Sequence, residues 1–179
     1  MKQGLVFWFT GLSGSGKTTV AKAVKPLLEK KGYSVLILDG DDVRSRLHID
    51  LGFTPEDIRT NNSLILQLCE TERENYNVLL IPIISPYASS RAEARDRLID
   101  GFYEIYFSAD LNTVIERDVK GLYKKARNNE VPNLIGYSPS NIYEPPINPD
   151  FVVNSATDPI EKSVNEFYSY LIRQLKECS

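Results

Sequence analysis

Residues 5–19 read LVFWFTGLSGSGKTT. The first six, LVFWFT, are apolar or β-favouring without alternation, the pattern of a strand covered on both faces. Gly11 to Thr18, GLSGSGKT, satisfy the spacing G-x-x-x-x-G-K-[ST], and a helical segment follows from Gly16 or Lys17 toward Lys31. Strand, glycine-rich loop and helix in that order make a phosphate site. The glycines let backbone N–H groups converge on phosphate oxygens, and the helix N-terminus adds partial positive charge. Lys17 would reach the β- and γ-phosphates and Thr18 would hold Mg²⁺. The competing reading, a flexible Gly/Ser turn, fits neither the lysine nor the two flanks.

Outward from this stretch, short apolar runs alternate with longer amphipathic ones. Strands are expected at 5–10, 34–39, 77–84, 102–108 and 151–154, and helices at about 17–31, 55–75, 89–99, 111–118 and 158–176. That alternation predicts an α/β chain, a three-layer sandwich in which a five-stranded parallel sheet carries helices on both faces. Residues 119–150 break the rhythm. They hold five of the ten prolines, are too long for a bare connector, and read as a lid with some helix at KGLYKKAR.

At 179 residues and 42% hydrophobic content, the chain suits one domain, residues 1–179. A net charge of −3 argues against nucleic-acid or anionic-membrane partners, which need a broad basic surface. Cys69 and Cys178 make no disulfide framework, and no secretory signal precedes the first strand, so a reduced, cytoplasmic chain is expected. The longest apolar run, VLLIPII, falls well short of the roughly 20 residues that span a bilayer. His48, the only histidine, reads as a surface residue.

The stretch VLILDGDDVR places Asp39 at the end of the second strand, with Asp41, Asp42 and Arg44 beyond, at the sheet edge where α/β ligands bind. A carboxylate there orients Mg²⁺ or accepts a proton from an attacking hydroxyl. Helix N-capping is the alternative for Asp41 or Asp42. Three classes compete: a small-molecule kinase, a GTP-dependent switch and a non-catalytic nucleotide-binding module. The absence of N-K-x-D counts against the switch, and a lid carrying Lys120, Lys124, Lys125 and Arg127 favours a kinase that surrounds two substrates and excludes water.

FTGLSGSGKTT, LDGDDVR, DLGFTPED, ISPY followed by Arg91, ERDVKGLYKKAR and YEPPINPD occur in this order. Together they resemble the adenylylsulfate (APS) kinase family over nearly the whole chain. The resemblance implies a P-loop NTPase fold and Mg·ATP-dependent phosphorylation of the ribose 3′-hydroxyl of adenylyl sulfate, a step of sulfate assimilation, by a homodimer. It implies ATP contacts at Gly11, Ser13, Gly14, Ser15, Gly16, Lys17, Thr18 and Thr19, with Arg117 near the ATP base. Thr18 and Asp39 would serve the metal, with Asp41 as base. The acceptor would meet Asp41, Arg44, Phe53, Asn61, Ile84, Ser85, Lys120, Leu122 and Leu134, with Phe53 stacked on its base. Ser85, labelled a phosphoserine intermediate in some members, is read as a pocket residue, because in-line transfer needs no covalent step.

The departures cluster. Ile58 stands where the family has an arginine, with Arg59 one residue later and therefore about 100° away around a helix. Ser63 and Leu64 replace two arginines, Ala88 a third, Pro132 a lysine, and Leu134 the phenylalanine that would face Phe53 across the base. The ATP half is unchanged while the acceptor half has lost cations and a ring. The resemblance therefore leaves a second acceptor open, cytidine 5′-diphosphoramidate of capsular phosphoramidate biosynthesis, with a smaller base and a less anionic 5′-group.

Overall fold

The computed structural model describes residues 3–40, 43 and 51–177. In chain order the described elements are β1 (Leu5–Thr10), α1 (Lys17–Glu29), β2 (Val35–Ile37), α2 (Pro55–Glu72), β3 (Val78–Ile81), α3 (Ala88–Arg97), β4 (Phe102–Phe107), α4 (Leu111–Arg117), α5 (Leu122–Arg127), β5 (Phe151–Val153) and α6 (Ile160–Glu177). The strands form one sheet, ordered β2-β3-β1-β4-β5, with every pairing parallel.

β1 is buried at all six positions, and side-chain alternation explains why. Leu5, Phe7 and Phe9 face one layer, where α1 supplies Val20, Val24 and Leu28, and α6 supplies Phe167 and Leu171. Val6 and Trp8 face the other, against Ile65 and Cys69 of α2 and Ala94 of α3. Full burial of side chains this size stabilises by about 1.5–3 kcal/mol each. Trp8→Ala would cost about 3–5 kcal/mol and would also remove the 2.9 Å bond from Trp8 Nε1 to Ser85 Oγ.

Two strands are shorter than their apolar runs. β3 stops at Ile81 because Pro82 has no N–H to donate to the ladder. β2 stops at Ile37, although the N–H of Leu38 still reaches Leu80 O at 3.0 Å. α2 begins where the sequence TPED says it should. Thr54 accepts from the Asp57 N–H, Asp57 accepts from the Thr54 N–H, and Pro55 opens the first turn. Phe53 is thereby held one residue ahead of a fixed cap.

The helix expected within KGLYKKAR is α5, which starts after Gly121 at φ 65°. Much of the rest of residues 119–150 is turns, and it carries a small apolar core of its own. Tyr123, Ala126 and Leu134 pack on Leu12, Ala109 and Val114. No described helix is long and apolar enough to cross a membrane.

Candidate active site

Three chain segments leave the carboxyl edge of the sheet side by side: the loop after β1, Asp39 after β2 and residues 82–86 after β3. The loop after β1 depends on glycine. Gly11 sits at φ 150°, and a Cβ there would lie 2.8 Å from Phe107 O. Gly16, at φ 88°, is the N-cap of α1 and turns the chain into the helix.

Lys17 is buried, and its Nζ donates to Gly11 O at 2.8 Å, Leu12 O at 2.7 Å and Ser15 Oγ at 3.2 Å. Burial pushes its pKa down to about 7; repulsion from Lys120 adds to that, and attraction to Asp39 opposes it. The ammonium is thus poised for a stronger anionic partner than carbonyl oxygens. Next to it the Thr18 hydroxyl donates to Asp39 Oδ2 at 2.9 Å. A hydroxyl and one carboxylate are the hard oxygen donors of a Mg²⁺ site that takes its remaining ligands from water and phosphate. Among the described residues no group of three or more His, Cys, Asp or Glu could hold a metal.

A cavity of about 240 Å³ runs from one end at this loop to a second end beyond it. Ser13, Gly14, Gly16, Lys17, Thr18, Thr19 and Asp39 line the first; Phe53, Asn61, Ile84, Ser85 and Lys120 line the second. Gly11 and Ser15 do not line the cavity. Arg117 is apart from this cavity, beside a smaller one of about 180 Å³ shared with Gly14, Ser15 and Asp158. Its guanidinium donates to Ser155 O at 2.7 Å and Ala156 O at 3.0 Å. Asp41 and Arg44 lie outside the described residues.

Leu134 and Leu122 are corrections to the expected acceptor contacts. Leu134 is buried in the apolar core against Leu12, Val114 and Tyr123, and Leu122 packs on the same group. Leu134 and Ile135 leave opposite sides of one turn, so Ile135 is the residue that reaches the cavity wall. Ile135 packs there with Ile58 and Tyr87. Ile58 lines the cavity, whereas Arg59 turns away and places its guanidinium 4.6 Å from the centre of the Tyr87 ring. That second end of the cavity is therefore apolar at Phe53, Ile58, Ile84 and Ile135.

Ser85 floors this end at φ 41°, a backbone region unusual for a residue with a Cβ. Its hydroxyl oxygen accepts from Trp8 Nε1 at 2.9 Å and Asn62 Nδ2 at 3.3 Å. Its carbonyl accepts from Thr10 Oγ1 at 3.0 Å and Arg91 Nη1 at 2.8 Å. Arg91 also donates through Nε to Glu104 Oε1 at 2.6 Å and through Nη2 to Glu144 O at 2.7 Å. One guanidinium thus joins β4, the floor of the cavity and the end of the lid segment. Nothing in the sequence singled out Ile135, Asn62 or the fully buried Asn141 as site residues; Ile58 was marked only as a missing arginine.

A family model described as adenylylsulphate kinase matches residues 3–154. An adenylyl-sulfate kinase of Halothermothrix orenii is 45% identical over 173 residues, covering 95% of this chain and 90% of that one. Another, of Rippkaea orientalis, is 41% identical over 170 residues, covering 95% and 92%. The structure of a Mycobacterium tuberculosis APS kinase in complex with AMPPNP and APS superposes with a TM-score of 0.86 at 35% identity, covering 96% of this chain and 99% of the other.

Proposed function

The chain belongs to the adenylylsulphate kinase family, and from that premise we propose that it moves the γ-phosphoryl group of Mg·ATP to the ribose 3′-hydroxyl of adenylyl sulfate, giving 3′-phosphoadenylyl sulfate and ADP. It is an ATP-dependent phosphotransferase with a P-loop NTPase fold. The observation that carries the substrate assignment is the shared cavity, which sets Lys17, Thr18 and Asp39 at one end and Phe53, Asn61 and Ser85 at the other.

In-line transfer asks the protein for position and charge. Backbone N–H groups of the loop and the Lys17 ammonium hold the phosphates as negative charge shifts toward the leaving β-phosphate. Thr18 and Asp39 would hold Mg²⁺, which supplies charge neutralisation on the phosphates. The 3′-oxygen bonds to the γ-phosphorus while the bond from that phosphorus to the β–γ bridging oxygen breaks; the hydroxyl proton passes to a carboxylate, for which Asp41 is our choice. Phe53 holds the acceptor base, and Lys120 with the lid, residues 119–150, limits water. Arg117 and the smaller cavity behind the loop suit the ATP base. We take the chain as a single cytoplasmic kinase domain that works as a homodimer, without nucleic-acid or membrane partners.

A second reading rests on Ile58 at the cavity wall. That reading, the same transfer to cytidine 5′-diphosphoramidate with its less anionic 5′-group, has no support among the relatives, which are adenylyl-sulfate kinases. The deciding measurement compares kcat/KM for the two acceptors at saturating Mg·ATP. Preference for adenylyl sulfate establishes the first reading, preference for the diphosphoramidate the second, and transfer to neither overturns both.

A further inference from the structure

Asn141 is fully buried, and its amide is satisfied in every direction the structure offers. Nδ2 donates to Phe53 O at 2.7 Å and to Asn133 O at 2.9 Å, while Oδ1 accepts from the Tyr87 hydroxyl at 3.1 Å. Two carbonyls on one side and a hydroxyl on the other fix which way the amide faces. Its backbone closes the turn that carries Ile135, since Gly136 N donates to Asn141 O at 2.7 Å and Asn141 N donates to Ser138 O at 3.0 Å.

The residues gripped by this one side chain matter more than its burial. Phe53 is half exposed and lines the cavity, and Ile135 stands on the same wall. Tyr87 packs between Ile58 and Ile135 and carries Arg59 on its ring. The cap of α2 fixes Phe53 only from its C-terminal side, through Thr54. The Asn141 bond to Phe53 O supplies a tie from the lid segment.

We propose that Asn141 is a positioning residue for the acceptor: it locks Phe53 and the turn carrying Ile135 against each other, so that the acceptor base meets a preformed wall. The inference rests on the acceptor site as read above, though not on which nucleotide occupies it. An asparagine is needed because the contact requires two donors and one acceptor within one short planar group. Aspartate, of the same shape, would turn an oxygen toward two carbonyl oxygens.

The test is a double-mutant cycle of Asn141→Ala with Phe53→Ala, using whichever acceptor the native enzyme phosphorylates. Asn141→Ala should raise the acceptor KM roughly tenfold while leaving the KM for ATP and kcat at saturating acceptor within about twofold. The rise in acceptor KM caused by Asn141→Ala should be clearly smaller in the Phe53→Ala background than in the native one, because the ring that Asn141 helps to position is then gone. Additive effects, or an equal rise in the KM for ATP, would overturn the proposal. If Asn141→Ala fails to fold, Asn141→Ser, which keeps one donor and adds no charge, enters the same cycle with the same expectations and the same overturning outcome. A native enzyme that transfers to no acceptor overturns the function reading instead. The positioning claim then stands or falls on Phe53→Trp fluorescence: Asn141→Asp should increase acrylamide quenching of that tryptophan, and unchanged quenching would sink it.

Discussion

The Tyr143 hydroxyl donates to Thr10 Oγ1 at 2.9 Å, tying the far end of the lid segment to the last residue of β1. Thr10 spends its own proton on the carbonyls of Ile84 and Ser85, so the tyrosine must be the donor. Burial also pushes the Tyr143 hydroxyl well above its ordinary pKa, so it stays protonated at any working pH. Tyr143→Phe should cost about 0.5–1.5 kcal/mol, which lowers Tm by roughly 2–4 °C for each kcal/mol in a chain of this size. Calorimetry checks it; an unchanged Tm would mean the bond contributes nothing net.

Lys17 gives a proton-linked prediction with a definite sign. Its folded pKa of about 7 lies below the ordinary 10.5, so between those values the unfolded chain holds a proton that the folded chain lacks. The contribution of this group to stability therefore rises with pH across that window. Triphosphate favours the charged ammonium, so Mg·ATP binding at about pH 8 should take up protons. Titration calorimetry in buffers of differing ionisation heat would show it. Lys17→Ala should lose both the uptake and detectable phosphoryl transfer.

Ser85 offers a check on the route of transfer. Its hydroxyl oxygen accepts two N–H groups in a buried place. Ser85→Ala should destabilise by about 1–3 kcal/mol through the stranded donors of Trp8 and Asn62. Incubation of the native protein with γ-labelled ATP and no acceptor should leave residue 85 unlabelled. Stoichiometric label there, found by peptide mass spectrometry, would establish a covalent step.

Two substitutions toward the family sequence should behave differently. Ile58→Arg adds a charged donor at the cavity wall and should raise kcat/KM for adenylyl sulfate about tenfold or more relative to a less anionic nucleotide. Leu134→Phe enlarges a side chain already packed in an apolar core, so it should cost about 1–3 kcal/mol and leave acceptor preference unchanged. Competition assays with mixed acceptors separate the two. A shift in preference from Leu134→Phe would put that residue back at the acceptor.

The parts legible in the sequence are those held by local rules. Positive-φ glycines, a lysine at fixed spacing and an unbroken apolar strand encode the phosphate loop within a single run, and the capping residues around Pro55 mark the start of α2. The acceptor wall is different, because it is assembled from residues far apart in sequence. Ile58 meets Ile135 across a gap that no periodicity records, and in a turn-rich segment an adjacent pair such as Leu134 and Ile135 gives no sign of which one faces inward. Reading departures from the family by position placed Ile58 on the cavity wall and misplaced Leu134, since the first sits in a regular helix and the second in irregular backbone. Asn141 had no signal at all: asparagine beside prolines reads as a turn until its three partners are seen.

The three-way grip of Arg91 sets a limit on how the chain can change over generations. Its acceptors on Glu104, Ser85 and Glu144 lie in different directions, which a planar fork reaches and the single ammonium of lysine does not. The substitution most often regarded as mild is closed here. The surrounding segment is under no such restraint at an exposed position such as Ile147. Sequence drift should therefore run freely along the outside of the lid while its attachment to the sheet stays fixed, so that new acceptor preferences can arise without rebuilding the phosphate-transfer machinery beneath.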